Sequence, residues 1–257
     1  MEYIKLKKED YIAIVTISHS PANALSSHVL QELSGLFDEL EKDESVRVIV
    51  LHGEGRFFSA GADIKEFVRV PSSKEFSNLA TDGQRLFERI ETFKKPVIAA
   101  IHGAALGGGL ELAMACHLRL VTEDAKLGLP ELQLGLIPGF GGTQRLPKYV
   151  GTGRALEMML TSEPISGVDA VKFGLANHSY TEDSLLDEAS HLAAKFAQKS
   201  PLSMKAVISL LNATKTTSYE DGMKQEAGWF GEIFESDDAK EGISAFLEKR
   251  TPRFSGK

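Results

Sequence analysis

The stretch Ile101-His-Gly-Ala-Ala-Leu-Gly-Gly-Gly-Leu-Glu111 limits the folds open to this chain more than any other. An apolar, β-like run, Pro96-Val-Ile-Ala-Ala-Ile101, leads into it, and Leu110-Glu-Leu-Ala-Met-Ala-Cys116 follows with helix-forming composition. The order reads as strand, glycine-rich turn, helix. Successive glycines allow positive φ and, lacking Cβ, let a ligand lie directly on the main chain. The first N–H groups of a helix have no internal acceptor and sit at the positive end of its dipole, so they suit an anion or an oxyanion. Glu111, just inside that helix, puts a carboxylate beside the same spot. A lone run of glycines also serves as a tight, close-packed turn, so the functional reading needs a second, matching stretch.

The rest of the chain supplies the setting. Tyr11–Ile17 is rich in β-branched residues and reads as a strand, followed by the loop Ser20-Pro-Ala-Asn-Ala-Leu25. From an N-cap at Ser26 or Ser27, Val29, Leu30, Leu33, Leu36, Phe37 and Leu40 recur at helical spacing. Val46–Leu51 is the next strand. Phe57-Phe-Ser-Ala-Gly-Ala-Asp-Ile-Lys65 then forms a small-residue turn, and the polar run 66–80 reads as mobile or poorly regular. Residues 82–93 read as a helix, with Leu86, Phe87, Ile90 and Phe93 on one side. After Cys116 come a short strand, Leu118–Thr122, and a loop-rich region from Ala125 to Leu146 with many Gly and Pro breakers. Short helices follow at 153–160 and 168–173, and from about Asp183 the pattern is helical only. Strands alternating with helices imply an α/β architecture with parallel strands and crossover helices. The aromatic-rich last helices, bearing Trp229, Phe230, Phe234, Phe246 and Leu247, imply packing on the body or on another subunit.

Composition excludes several classes. The formal net charge of −7 argues against non-specific nucleic-acid binding. Cys116 is the single cysteine, so no internal disulfide can form. No apolar run reaches the roughly 20 residues a membrane span needs, and the N-terminus passes straight to charges without a signal-peptide pattern. A cytoplasmic enzyme or binding protein is the expectation. Seven histidines are scattered without metal-ligand spacing, so no metal is expected. There is no nucleophile elbow, no phosphate-binding P-loop, and only Gly151-Thr-Gly153 toward a dinucleotide fingerprint.

The matching stretch is Ser59-Ala-Gly-Ala62. With Leu106-Gly-Gly-Gly109 it offers two main-chain N–H groups to one cleft, and two donors on one oxygen make an oxyanion hole. Enolate formation at a thioester or another carbonyl is the chemistry best served. Glu111 and Glu131, if both face that cleft, are suited to share a water molecule as base and acid. Taken singly, each glutamate reads more simply as a solvated surface group, and His102 as a structural residue at a strand end.

Ser59-Ala-Gly-Ala-Asp-Ile-Lys65, His102-Gly-Ala-Ala-Leu-Gly-Gly-Gly-Leu-Glu-Leu-Ala113 and the run from Gly128 to Leu146 resemble, in this order, the enoyl-CoA hydratase (crotonase) family. The similarity includes Pro21-Ala-Asn-Ala-Leu25 and extends over essentially the whole chain. The resemblance implies a spiral of ββα turns over residues 1–195 and a C-terminal helical trimerisation region over 196–257. It further implies a homotrimer or a dimer of trimers, and the acidic charge and lack of a long apolar run leave no nucleic-acid or membrane partner expected. By the family pattern, Ala62 and Gly108 supply the oxyanion-hole amides, and Glu111 and Glu131 form the acid/base pair. Ala24, Ala60, Gly61, Asp63, Ile64 and Lys65 fall where the family holds coenzyme A. Gly139 falls near the acyl pocket, and Phe254 and Lys257 match C-terminal CoA-binding positions, contributed in some members by a neighbouring subunit.

The implied reaction is reversible syn addition of water to a 2-trans-enoyl-CoA, giving a 3-hydroxyacyl-CoA, as in fatty-acid β-oxidation. Coenzyme A enters as part of the acyl-CoA thioester substrate, and no separate cofactor is implied. A Δ3,Δ2-enoyl-CoA isomerase, a hydratase for branched or aromatic acyl groups and a non-catalytic acyl-CoA-binding protein are the alternatives. Phe140 is larger than the small residue of the family pattern, which leaves the acyl-chain preference open. Members of the family vary most over 66–79.

Overall fold

The computed structural model of the chain describes residues 1–68 and 71–257. It opens with an antiparallel hairpin of β1 (Ile4–Glu9) and β2 (Ile12–Ile17), then α1 (Ser27–Lys42) and β3 (Val48–Gly53). The short α2 (Ile64–Phe67) and the long α3 (Ser73–Glu91) lead to β4 (Val97–Ile101), β5 (Ala104–Leu106) and α4 (Gly108–Ala115). Next come β6 (Leu118–Thr122), β7 (Lys126–Gly128), a 3₁₀ turn (Glu131–Leu134), α5 (Gly142–Val150) and α6 (Thr152–Thr161). Then follow β8 (Ile165–Ser166), α7 (Gly167–Lys172), β9 (His178–Tyr180) and α8 (Glu182–Ala197). Three more helices, α9 (Pro201–Ala213), α10 (Tyr219–Phe234) and α11 (Asp237–Leu247), end the chain.

The strands coil. The large sheet has the order β1-β2-β3-β4-β6-β9, parallel from β2 onward. A smaller sheet, β5-β7-β8, runs beside it, and Ser59 extends it by a parallel bridge to Ala105. Each turn of the coil thus gives one strand to the large sheet and a short one to the small sheet: β3 then Ser59, β4 then β5, β6 then β7. This is the ββα spiral that the family resemblance implied; composition and periodicity alone reached only the α/β class.

The inner strands of the large sheet, β3, β4 and β6, are buried on both faces, as parallel strands covered by helices must be. Ile49, Leu51, Val97, Ala99 and Ile101 join the main core with Val29, Leu33, Leu36 and Phe37 of α1. The alternate positions Val48, Val50, Ile98, Ala100 and Leu120 pack on Leu185, Ala189, Ala193 and Ala197 of α8. That period of two explains why these strands read as unbroken apolar runs. α1 begins as expected, with the Ser26 hydroxyl accepting from the Val29 N–H.

Two expectations need correction. The run 66–80 is regular over most of its length, since α2 and the first half of α3 lie within it; residues 69–70 fall outside the described residues. The region 125–146 contains β7 and the start of α5, whose interior accommodates Pro147. The charged N-terminus, to which the sequence reading assigned no element, forms β1, its outer face solvated and its Ile4 buried. Among the described residues, no helix is long and apolar enough to cross a membrane.

Candidate active site

The coil brings the two predicted amides together. Ser59 pairs with Ala105, and Ala105 pairs with Leu127, so three successive turns of the coil are in register at this point. Ala62 lies three residues beyond Ser59, and Gly108 lies three beyond Ala105. The bridge between Leu25 and Ala62 uses the Gly61 carbonyl and the Asp63 N–H, which leaves the Ala62 N–H unused. Gly108 opens α4, so its N–H lacks an intrahelical acceptor. Among the described residues neither N–H is hydrogen-bonded. A Cβ on Gly108 would stand 3.3 Å from the Ala62 nitrogen, and one on Gly61 would stand 3.3 Å from the Gly108 nitrogen. The glycines are what let the two strand ends approach this closely.

Both amides line one cavity of about 620 Å³, and Glu111 and Glu131 line it too. Glu111 is 1% exposed, not a surface group. Its Oε1 accepts from the Phe140 N–H at 2.8 Å and from the Gly142 N–H at 2.6 Å. Burial pushes its carboxyl up to about 7; the charge of Glu131 adds to this, while the two amides and Arg145 oppose it. Glu131 stands at the start of the 3₁₀ turn, one step beyond the third coil. Burial raises its pKa as well, and its Oε2 is buried with no partner among the described residues. An isolated buried carboxylate is costly, so the proton-bearing form is the one such a site favours.

The other anticipated residues divide. Ala60, Gly61, Ile64 and Gly139 line the same cavity. Ala24, Asp63 and Lys65 do not. Asp63 caps α2 by accepting from the Lys65 N–H, and Ala24 offers its carbonyl to the His19 ring. In the single chain Phe254 and Lys257 lie elsewhere: the Phe254 carbonyl accepts from Arg47, and the Lys257 carbonyl accepts from the Asp238 N–H. His102 bonds the Gly55 carbonyl at 2.7 Å, in keeping with a structural role.

Reasoning from sequence missed the opposite wall of the cavity. It comes from α3, through Phe76, Ala80 and Gln84, from Leu134 at the end of the 3₁₀ turn, and from Ile137 in the loop after that turn. Phe140 completes it. Its ring packs edge-on against Phe87, 5.4 Å between centroids, and fills the space left by the missing side chain of Gly83, where a Cβ would lie 2.5 Å away. A Gly on an otherwise ordinary helix was the available signal.

Coiled ββα strands that present two free amides and two carboxylates, one buried and one half-buried, to one cavity define a crotonase-type enzyme fold. The family model described as "Enoyl-CoA hydratase/isomerase" matches residues 7–257, and the chain belongs to that family. A protein of Bacillus subtilis named "Probable enoyl-CoA hydratase" is 58% identical over 100% of both chains. "Crotonyl-CoA hydratase" of Syntrophomonas wolfei is 40% identical, over 100% of this chain and 99% of its own. The crystal structure of an enoyl-CoA hydratase from Bacillus anthracis superposes with a TM-score of 0.94 at 33% identity, covering 99% of this chain and 100% of that one.

Proposed function

We propose that this chain is a 2-enoyl-CoA hydratase acting on short acyl chains in acyl-CoA breakdown such as fatty-acid β-oxidation. The observation that carries the reading is the convergence of two unpaired amides, the buried Glu111 and the half-buried Glu131 on one cavity. The names of the relatives, crotonyl-CoA hydratase among them, support it.

In this reading the thioester oxygen rests on the Ala62 and Gly108 N–H groups, which hold the negative charge as the enolate forms. Glu111, anchored through Oε1, uses its other oxygen to take a proton from water as the water oxygen bonds to C3. Glu131 delivers a proton to C2 on the same face. One water is consumed and one 3-hydroxyacyl-CoA results, and the proton left on Glu111 passes back to Glu131 before the next turnover, which resets the pair. Coenzyme A is brought by the substrate, over Ala24, Ala60, Gly61, Asp63, Ile64 and Lys65, and no further cofactor enters. Gly139 borders the acyl group. Phe254 and Lys257 reach the coenzyme of a neighbouring subunit, in a trimer or a pair of trimers built through residues 196–257. Phe140, rigidly packed beside Gly108, favours a short chain.

A double-bond-loss assay across acyl chain lengths tests this, with crotonyl-CoA as the leading substrate. Glu111→Gln and Glu131→Gln should each lower turnover by about 10²–10⁴ while CoA-ester binding persists. Wild-type-like turnover in both variants would refute the assigned roles. Turnover on 3-enoyl-CoA alone would favour an isomerase.

A further inference from the structure

Arg145, on α5, is buried at 7% exposure although it carries a charge that cannot be shed. Such a group persists only when every donor is used. Its Nη1 donates to the Phe140 carbonyl at 2.9 Å, its Nε donates to Glu91 Oε2 at 2.9 Å, and its Nη2 reaches both Glu91 and Glu88. Glu91, at the end of α3, is fixed in turn by Lys215 at 2.6 Å, and its carbonyl accepts from Asn212. Phe140 is the residue whose N–H holds Glu111, and Gly142, two residues on, supplies the second N–H. One peptide segment is therefore held from behind by the guanidinium while it holds the carboxylate in front.

We propose that Arg145 is a positioning residue for hydration: by clamping the Phe140 carbonyl against Glu91, it fixes the loop whose two amides orient Glu111. The inference rests on the hydratase reading of the cavity. Arg145 does not line the cavity, so it acts on Glu111 through that loop and through its charge. Lys215 and Asn212 belong to the C-terminal helical region, so the clamp joins that region to the active loop through α3.

The charged groups around α4 are Glu131 in the 3₁₀ turn, Arg145 on α5, Arg119 on β6, and Glu88 and Glu91 on α3. Of these, Glu131 raises the Glu111 pKa and Arg145 lowers it. Removing Arg145 therefore raises the Glu111 pKa further. A base must be ionised to work, so the acidic limb of the pH profile moves to higher pH.

Steady-state kinetics on crotonyl-CoA, with pH profiles, test the proposal in Arg145→Met, Arg145→Lys and Glu91→Gln. Wild-type activity on crotonyl-CoA is checked first; its absence would fail the hydratase reading, not the clamp. Given that activity, Arg145→Met should lower kcat by about tenfold or more with KM within about twofold, because misplacing a catalytic group costs rate rather than ground-state binding. Its acidic limb should move upward, and Arg145→Lys, keeping the charge but able to serve fewer partners, should recover part of kcat. Glu91→Gln keeps the guanidinium and weakens its anchor, so kcat should fall about threefold or more. It decides alone if Arg145→Met melts before assay. Wild-type kcat and an unmoved acidic limb in Arg145→Met, or wild-type kcat in Glu91→Gln where that variant decides, would overturn the proposal.

Discussion

At the scale of single residues, the site trades stability for chemistry. Burial holds the Glu111 carboxyl at about 7, against an ordinary value of 4.5. Between those two values the folded protein binds the proton and the unfolded chain does not. Folding stability therefore falls as pH rises from about 4.5 to about 7, by up to ~3 kcal/mol. Glu111→Gln escapes that cost, since an amide oxygen still accepts from Phe140 and Gly142. Thermal melting should show this variant more stable than wild type at pH 8, with the difference shrinking at pH 5; a variant less stable at both would contradict the burial account. Catalysis runs the other way, and hydration should decline as pH drops through about 7. None of this was legible from Glu111 as a letter in the sequence. What marks it is a pair of amides some 30 residues downstream, which only folding brings near.

Elements were legible in proportion to how much of their surface the core takes. α1, with five buried residues, announced itself by its helical period, and the strands covered on both faces by their unbroken apolar runs. The first half of α3 did not, because residues 73–78 are exposed apart from Phe76, and no apolar period survives there. Yet that half lines the cavity. α5 was hidden by Gly141 and Gly142 at its start and by Pro147 inside it, which breaker rules count against a helix. The glycines are there for spacing. A Cβ on Gly142 would stand 2.9 Å from Glu111 Oε1. Gly142→Ala should therefore displace the carboxylate and cut kcat by about 10² in steady-state assays, with KM little changed and the far-ultraviolet circular dichroism preserved. Gly109→Ala, whose Cβ would run into the Ser59 carbonyl, should instead damage the junction between coils and lower the melting temperature.

The whole molecule, taken as one chain, is left with an apolar face. Phe230, Phe234, Phe246 and Leu247 are 63–82% exposed on α10 and α11. Surfaces of that kind on a single chain mark association sites. Sedimentation should give a mass that is a multiple of three chains at micromolar concentration, and a charge introduced by Phe246→Glu should shift it downward. A wild-type monomer would remove both the oligomer and the cross-subunit reach assigned to Phe254 and Lys257. Sequence pointed to this face through its aromatics; the coil itself was invisible to periodicity, because strands of three residues such as β5 and β7 carry no period of their own.

The shared three-residue offset of Ala62 and Gly108 from the rung that joins Ser59 to Ala105 makes the grip on the carbonyl a property of the ladder. Its gauge is the distance between neighbouring strands, roughly 4.8 Å, which no side chain sets. The fold is thus a vice with interchangeable jaws: what enters and what is done to it can be rewritten along α3 and the 131–141 loop while the anvil beneath stays the same.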